Sequence, residues 1–490
     1  MLAKVRSVMS PRGQPPPNPL PEDQETIPPP KIGMVVDMSD THLLGGLIPV
    51  VTGNEKQKHP YCRPEFLYLS EDEITLSGDQ SVRPIISPKY PTQMPAYAGY
   101  AEVINTGKSV ENEDMGSAKV LTLIQQGYEA EKAIELDDEK KKLDPRIERK
   151  KSDEELLDIT QSFSSDDGPV APKAEAAYFG IFDGHAGSGA AIMASNCLHE
   201  HIRSRLNEVL ESTLHLCRQE QLFRTSRRSS FHNAGNLNDQ RNSTCITSDS
   251  LVIGALEASF VDMDQQIAEE KMLAKIPGGC AAVVCLVFLG KVYIANAGDC
   301  RAILDLNRKV LFRDWYMDGW AAKTVREPDL KPPLISTRTR KPRLLNTIGV
   351  CRGFGDHHLM TADDKLAIKP FLSPFPEVQV FDTRELDSLT DKEVIVMASD
   401  GLWDVLTNEE VAMITRSALS HSDNDDFSKY TLVAQELVAA ARGDQIGQFK
   451  WKLASGGMAS TDDITVFVIP LKFAVNMPKG DDDDDEEMLS

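Results

Sequence analysis

The chain lacks the cysteine spacing of a zinc site, a hydrophobic run long enough to cross a bilayer, and an excess of positive charge. Its 8 cysteines include no CxxC pair, which argues against a zinc ribbon. Several lie inside apolar runs, as Cys285 does, where a reduced thiol packs as a small hydrophobe. This pattern favours a reducing, cytoplasmic environment. Lys and Arg total 53 against 75 Asp and Glu, and the net charge of -22 argues against nucleic-acid binding.

The N-terminal part of the sequence carries no recognisable signal peptide or membrane span. Its longest apolar stretch, HLLGGLIPVV, is too short for a bilayer and is interrupted by Gly-Gly and Pro. The opening MLAKVRSVM places Leu2, Val5 and Met9 near one face of a helix. A weak membrane contact through the N-terminus is one interpretation of that face, and a frayed polar terminus is the other.

Composition divides the chain into one large domain and flanking segments. With 490 residues and 41% hydrophobic residues, the chain can bury a sizeable core. Residues 1–60 are Pro-rich and are predicted to be largely disordered, whereas 61–470 form the domain. Polar insertions are predicted near 131–168 and 219–250. Residues 471–490 are predicted to form an acidic, disordered tail.

Several apolar runs have the length and composition of buried strands, and amphipathic stretches lie between them. Thr407 and Glu410 have the spacing of a capping box at a helix start. Because strands follow one another directly, antiparallel pairing is favoured over a doubly wound parallel sheet. KVYIANAGDCRAIL is predicted to be a hairpin with Gly298 and Asp299 at its turn. The predicted strands are AAYFGIF, CAAVVCLVFLG, KVYIANA, RAILDL, EVIVMAS and DITVFVI.

Five predicted strands carry a carboxylate at one end. Asp183, Asp299 and Asp400 follow strands, Asp462 precedes one, and Glu113 lies just past another strand-like run. Any one of these residues is more often a turn or a helix cap than a ligand. Together, like charges at one edge of a sheet would repel each other, and a bound cation removes that repulsion.

The ligand type indicates which cation is bound and what chemistry follows. Carboxylates without His or Cys partners suit Mg²⁺ or Mn²⁺ rather than Zn²⁺. Glycines after Asp183 and Asp400 allow tight turns that bring a carbonyl towards the cation. Two such ions can share one water and make it a hydroxide nucleophile, for which a phosphoester is the natural substrate. His185 lies two residues after Asp183 and is predicted to protonate the leaving alkoxide as general acid.

Four motifs occur in an order that resembles one known family. FDGHAG, ANAGDCRA, ASDGLWD and TDDITVFVI resemble the metal-dependent protein serine/threonine phosphatases of type 2C, over most of residues 96–470. RPEFLYLS, GYAEVINTGKS and GWAAKTV look most like the H/J/M branch of that family. The resemblance implies an α+β fold with a central antiparallel β-sandwich flanked by helices. It also implies a binuclear Mg²⁺ or Mn²⁺ centre at one end of the sandwich.

The resemblance assigns roles to the strand-end residues. It implies that Asp183 bridges the two ions and that Gly184 offers its carbonyl to one of them. Asp400 and Asp462 would complete one metal site, and Glu113 would complete the other. These roles agree with the independent expectation of a cation among strand-end carboxylates.

Further roles are implied, and two of them involve departures from the family pattern. Asp299 would hold a weaker third ion together with Asp400, and His185 would be the general acid. The family usually places a phosphate-gripping Arg where this chain has Ser109, so neighbouring Lys108 is the candidate replacement. Asp463 stands where Asn is usual and is expected to add negative charge near the metals.

The flap of the family is also altered, and this leaves alternatives open. The usual LSxDHxP stretch is missing because NRKVLFRDWYMDGW follows RAILDL directly, so a shortened flap is expected. A binding module that has lost catalysis is therefore one alternative. A metal-dependent nuclease or small-molecule phosphohydrolase is another, kept open by the basic run TRTRKPR. The interpretation that we favour over both is a protein phosphatase whose substrates are phosphorylated proteins. The resemblance to the H/J/M branch suggests phosphorylated Rab-class GTPases among these substrates.

Overall fold

The computed structural model describes part of the chain. Residues 1–59, the predicted insertion 131–168 and the acidic run 481–487 lie outside it. Within it, no helix combines the length and the apolar character that crossing a membrane requires. The described residues are 60–124, 173–229, 246–271, 276–306, 310–311, 334–336, 342–362, 365–386, 388–423 and 426–476.

Two antiparallel sheets form the centre of the described fold. Sheet I is five-stranded with the order β1-β15-β12-β6-β7. Sheet II is six-stranded with the order β11-β5-β4-β3-β2, and β10 pairs with β4 beside that path. Two ribbons, β8-β9 and β13-β14, lie apart from the sheets. The strands are β1 Gly99–Val103, β2 Met115–Ile124, β3 Lys173–His185, β4 Gly279–Phe288, β5 Lys291–Ala297, β6 Arg301–Asp305, β7 Val310–Leu311, β8 Ile335–Ser336, β9 Arg343–Leu344, β10 Phe354–Gly355, β11 Glu377–Asp382, β12 Val394–Ala398, β13 Asp444–Gly447, β14 Lys450–Lys452 and β15 Ile464–Pro470.

Helices cover the outer face of each sheet. Helices α2 and α3 share a hydrophobic cluster with sheet II, and α5 and α6 share one with sheet I. The capping box predicted at the start of α5 is confirmed, because Thr407 Oγ1 accepts the Glu410 N–H at 3.2 Å and the Glu410 carboxylate accepts the Thr407 N–H at 2.8 Å. The helices are α1 Glu71–Ser77, α2 Gly189–Ser229, α3 Ser248–Glu270, α4 Asp400–Trp403, α5 Asn408–His421, α6 Lys429–Arg442 and α7 Leu471–Val475.

Alternation along β3 shows how the sequence builds these layers. Phe179 and Ile181 belong to the cluster between the two sheets, together with Phe467 of β15. Phe182, on the opposite face of β3, packs in the cluster with α2 and α3. Each fully buried side chain of this size stabilises the fold by about 1.5–3 kcal/mol. The helix–sheet–sheet–helix arrangement confirms the predicted α+β sandwich flanked by helices.

The hairpin predicted for KVYIANAGDCRAIL is wrong. Strand β5 pairs with β4 and β11 in sheet II, whereas β6 pairs with β12 and β7 in sheet I. The chain crosses between the sheets at residues 298–300. A Cβ at Gly298, whose φ is +141°, would lie 2.3 Å from the Ala281 Cβ, so the crossing needs glycine there. The crossing places Asp299 at one end of the sandwich, between both sheets.

The structure adds helical residues to two segments that the sequence analysis set apart from the core. Helix α2 extends to Ser229 and α3 starts at Ser248, so the predicted insertion near 219–250 begins and ends in helix, and residues 230–245 lie outside the described part of the chain. Residues assigned to the disordered tail form α7, where Leu471 and Ala474 are buried against the core between the sheets. These two apolar residues therefore extend the packed core beyond residue 470.

The stretch between β7 and β11 corresponds to the flap region. Its described residues contain ribbon β8-β9 and a small hydrophobic cluster of their own. The residues quoted for the departure from the family pattern are 307–320, and of these only Val310 and Leu311 of β7 lie within the described part of the chain. The cluster consists of Leu334, Leu344, Leu345, Ile368 and Leu372.

Candidate metal centre

The strand register brings the acidic strand ends to one edge of the sandwich. In sheet I, Ala398 at the end of β12 pairs with Arg301 at the start of β6 and with Val466 near the start of β15. In sheet II, Met115 at the start of β2 pairs with Phe182 near the end of β3. The acidic residues singled out in the sequence lie next to these positions. The antiparallel register therefore gathers them in space although they are far apart in the chain.

Three of the predicted ligands form a compact group. One carboxylate oxygen from each of Asp183, Asp299 and Asp400 lies within 4.8 Å of the others. Asp183 comes from β3 of sheet II, Asp400 begins α4 directly after β12 of sheet I, and Asp299 lies on the crossing between the sheets. The Asp400 N–H also donates to Asp183 Oδ2 at 3.3 Å. The group thus joins the two halves of the sandwich.

The electrostatics of this group suit a divalent cation. Burial, followed by the charges of Asp114, Asp400 and Asp299, raises the pKa of Asp183 well above its usual range. Burial, followed by Asp299 and Asp462, raises the pKa of Asp400 to about 8. A cation among these oxygens would remove the repulsion, and an all-oxygen donor set is what Mg²⁺ and Mn²⁺ prefer. The residues present therefore fit the predicted cation.

Glu113 and Gly184 meet beside this group. Glu113 Oε1 accepts the Gly187 N–H at 2.6 Å. A Cβ at Gly184 would lie 2.4 Å from the Glu113 carbonyl oxygen, and a Cβ at Gly401 would lie 1.9 Å from that of Asp463. Neither glycine has a positive φ. Glycine is needed at both positions because the backbone of an acidic residue approaches too closely for a side chain, and not because of a left-handed turn.

Asp462 and Lys108 form an ion pair at the same end of the sandwich. Lys108 Nζ donates to Asp462 Oδ2. Burial lowers the pKa of Lys108, but its bond to Asp462 and the charges of Asp400 and Asp183 raise the pKa overall. The Lys108 side chain is still 54% exposed. The structure therefore places the candidate phosphate-binding cation next to the candidate ligands.

The Asp463 carboxylate accepts hydrogen bonds from the loop at residues 105–113. It accepts the Asn105 N–H at 2.8 Å and the Glu113 N–H at 3.1 Å. Asn105 Oδ1 in turn accepts the Lys108 N–H at 2.8 Å. Burial raises the pKa of Asp463 to about 7. The extra charge expected near the metals is therefore engaged by amides of the loop that carries Lys108 and Glu113.

The structure adds a residue that the sequence analysis missed. His185 Nε2 lies 2.6 Å from Asp356 Oδ2, and Asp356 is 6% exposed. Asp356 has a φ of +55°, an uncommon conformation for a residue with a side chain. The signal was present in the sequence, because Gly355-Asp356 follows an apolar residue as Gly298-Asp299 does.

The raised carboxyl pKa values predict a pH-dependent response to metal. Without metal, burial and the neighbouring carboxylates raise the pKa of Asp400 to about 8 in the folded protein, against about 4 in the unfolded chain. Its contribution to the free energy of unfolding is therefore present below about pH 4 and is lost as pH rises through about 8. We expect the Tm in EDTA to fall between about pH 6 and about pH 8.5, and the Tm gain from Mn²⁺ to widen. Thermal unfolding in Mn²⁺ and in EDTA measures both, and a metal-induced gain that does not change with pH would contradict the assignment.

Comparisons with known proteins match this chain to protein phosphatases. A family model described as Protein phosphatase 2C matches residues 146–311 and 334–445. Protein phosphatase 1H of Danio rerio is 34% identical, over 89% of this chain and 98% of its own length. Protein phosphatase 1J of Homo sapiens is 33% identical, over 96% of this chain and 99% of its own length. A crystal structure of serine-threonine phosphatase 2C from Toxoplasma gondii, 16% identical, covers 60% of this chain and 84% of that one with a TM-score of 0.34.

Proposed function

The chain belongs to the protein phosphatase 2C family and is a metal-dependent protein serine/threonine phosphatase, and we propose that the acidic group at the end of its sandwich is the metal centre. The observation that carries this proposal is the approach of Asp183, Asp299 and Asp400 within 4.8 Å of one another. Burial and mutual repulsion raise the pKa values of Asp183 and Asp400, so the group of three carboxylates needs a positive charge between them.

We assign ligands for two ions of Mg²⁺ or Mn²⁺. Asp183 would be shared by the two sites, and Gly184 would offer its carbonyl oxygen. Asp400 and Asp462 would complete one site, and Glu113 would complete the other. When bound, such cations supply a deprotonated water at neutral pH and neutralise charge on the phosphoryl group.

A possible third ion is assigned to Asp299 together with Asp400. The carboxylate oxygen of Asp299 lies within 4.8 Å of the oxygens of its two neighbours, which supports a ligand role there. Its charge also raises the pKa of Asp400, so neutralising either residue would ease the ionisation of the other.

The remaining roles fall to His185 and Lys108. His185 protonates the oxygen of the leaving serine or threonine, and Asp356 holds the imidazole in place through Nε2. Lys108 is exposed enough to exchange its carboxylate partner for a substrate phosphate. A lysine supplies a point charge at that position and not the two-pronged grip of an arginine.

The substrates are phosphorylated proteins, and we propose phosphorylated Rab-class GTPases among them. The likeness to protein phosphatases 1H and 1J supports the branch, and the branch resemblance suggests this substrate. We keep the cytoplasm as the proposed location. The weak membrane contact proposed for the N-terminus involves residues outside the described part of the chain.

Phosphate release from a phosphothreonine peptide tests the function directly. We expect activity that rises with Mn²⁺ or Mg²⁺ and disappears in excess EDTA. A phosphorylated Rab GTPase, compared by kcat/KM with an unrelated phosphoprotein, tests the finer substrate proposal. A folded protein without activity at any metal concentration would favour the binding-module alternative. Metal-dependent cleavage of DNA, without phosphate release from the peptide, would favour the nuclease alternative.

A further inference from the structure

A buried arginine in the segment before β1 grips the backbone beside Asp462. Arg83 is 0% exposed. Its Nε donates to the Ile104 carbonyl at 2.6 Å, and its Nη1 and Nη2 donate to the carbonyls of Ser460 and Asp462, each at 2.7 Å. Ile104 leads directly into the loop of Lys108. One guanidinium therefore joins the two segments that carry the Lys108–Asp462 ion pair.

The guanidinium of Arg83 is directed at the backbone and not at an acidic side chain. Among the described residues, it donates hydrogen bonds to carbonyls and to no carboxylate. Burial lowers its pKa to about 10, while the charges of Asp463 and Asp462 act in the opposite direction. The three hydrogen bonds therefore fix the position of Arg83 between the two segments.

The rest of the residue is held on every side. The Arg83 N–H donates to the Asp79 carbonyl at 2.8 Å, and the Arg83 carbonyl accepts Nη1 of Arg442 at 2.8 Å. The Trp451 ring centroid lies 5.7 Å from the Arg83 guanidinium and 5.3 Å from that of Arg442. The backbone of Arg83 has a φ of +51°, which a residue with a side chain adopts at a cost. These backbone and ring contacts, together with its own three hydrogen bonds, fix the orientation of the Arg83 guanidinium.

A second buried arginine of the same segment repeats the arrangement at Glu113. Arg63 donates to Glu102 Oε1 at 2.8 Å, and its Nη1 reaches the carbonyls of Asn112 at 3.2 Å and Asp114 at 2.9 Å. These two carbonyls flank Glu113. Residues 60–98 thus support two different candidate metal ligands, and both ligands lie outside the ranges that the family model matches.

We propose that Arg83 is a positioning residue of the metal centre, which sets the placement of Asp462 relative to the loop of Lys108. The inference rests on the proposed ligand role of Asp462. Arg63 has the corresponding role for Glu113. A lysine at position 83 would keep the charge, but its three donors sit on one nitrogen and cannot reach the three carbonyls that Nε, Nη1 and Nη2 of the guanidinium reach. Loss of the fork should therefore loosen Asp462 and weaken cation binding even where the fold survives.

The test compares Arg83→Lys with a matched substitution elsewhere. Arg416 of α5 donates from Nε and Nη2 to Asp305 Oδ1, a buried carboxylate of β6, at 3.0 Å and 2.8 Å. Arg416→Lys breaks a comparable forked contact at a structural ion pair. Mn²⁺ affinity is measured by isothermal titration calorimetry on the full chain, Tm by thermal unfolding in EDTA, and kcat at saturating Mn²⁺ with the phosphothreonine peptide.

Arg83→Lys should weaken Mn²⁺ binding by about tenfold, with kcat at saturating metal within about threefold of the unsubstituted protein. Arg416→Lys should lower Tm and leave the Mn²⁺ Kd unchanged. A change in Tm without a change in Kd for Arg83→Lys would overturn the positioning role. Failure of the unsubstituted protein to bind Mn²⁺ would instead overturn the metal centre itself.

A milder variant covers the case in which Arg83→Lys does not fold. Asp79 Oδ1 accepts the N–H groups of Ser81 at 2.8 Å and Val82 at 3.1 Å, and so shapes the turn that presents Arg83. Asp79→Ala should raise the Mn²⁺ Kd by a smaller factor of about two to three. An unchanged Kd in this variant would contradict the inference.

Discussion

Replacing Asp183 with Asn will abolish phosphate release from a phosphothreonine peptide at every Mn²⁺ concentration. We expect a loss of at least about a thousandfold, which corresponds to about 4 kcal/mol in the barrier. The reason is position, because Asp183 is the carboxylate from sheet II that meets Asp299 and Asp400 within 4.8 Å. An amide keeps the shape and still accepts the Asp400 N–H, but it removes the charge on which cation binding depends.

The same substitution carries its own control for folding. Asp183 lies half-buried among like charges, and desolvation followed by those charges raises its pKa. The Asn variant should therefore unfold at a higher temperature than the unsubstituted protein in EDTA, and should gain less from Mn²⁺. Asp382→Asn is a matched control, because Asp382 ends β11 and pairs in register with Lys291, at the opposite end of sheet II. Activity of Asp183→Asn within tenfold of the unsubstituted protein would rule out the bridging role.

The second large effect concerns proton delivery by His185. We expect His185→Gln to lower kcat for the phosphothreonine peptide by about 10²–10³. We expect Asp356→Asn to lower it by about 10–10², because the imidazole loses the carboxylate 2.6 Å from its Nε2. Both variants should retain their Mn²⁺ affinity.

The leaving group separates this role from a structural one. The p-nitrophenolate group departs without protonation, whereas a threonine alkoxide does not. Turnover of p-nitrophenyl phosphate should therefore be nearly unchanged in both variants. Equal losses on the two substrates would indicate a damaged site and would remove the general-acid assignment. His357→Gln is a control, since His357 neighbours Asp356 but contacts Asp264 at 3.1 Å.

The parts of the fold that could be predicted from the sequence are those determined by short-range sequence patterns. Apolar runs such as that before Asp183 became strands, and Thr407 with Glu410 became a cap, because both signals span only a few residues. The pairing of strands, by contrast, depends on residues that are far apart in the chain. The turn at Gly298-Asp299 has hairpin chemistry, yet the flanking strands join different sheets because each finds its hydrogen-bonding partners elsewhere.

The candidate site divides in the same way. Its candidate ligands were singled out because each follows or precedes a predicted strand, and a motif resemblance suggested a role for each. Its supports were not found, because they depend on contacts across the whole chain. Arg83 and Asp462 are 379 positions apart. A fully buried arginine is also rare, so composition alone would have assigned it to the surface.

The two-sheet origin of the acidic group has a consequence for the lifetime of the protein. Asp183 belongs to one sheet and Asp400 follows a strand of the other, so a cation can be held by both only while the sheets are docked. On the proposed assignment, every opening that separates the sheets expels the metal, and metal binding opposes such openings by mass action. Proteases act on opened states, and degradation follows their population. The abundance of this phosphatase would then track the supply of divalent metal, independently of its catalytic need for it.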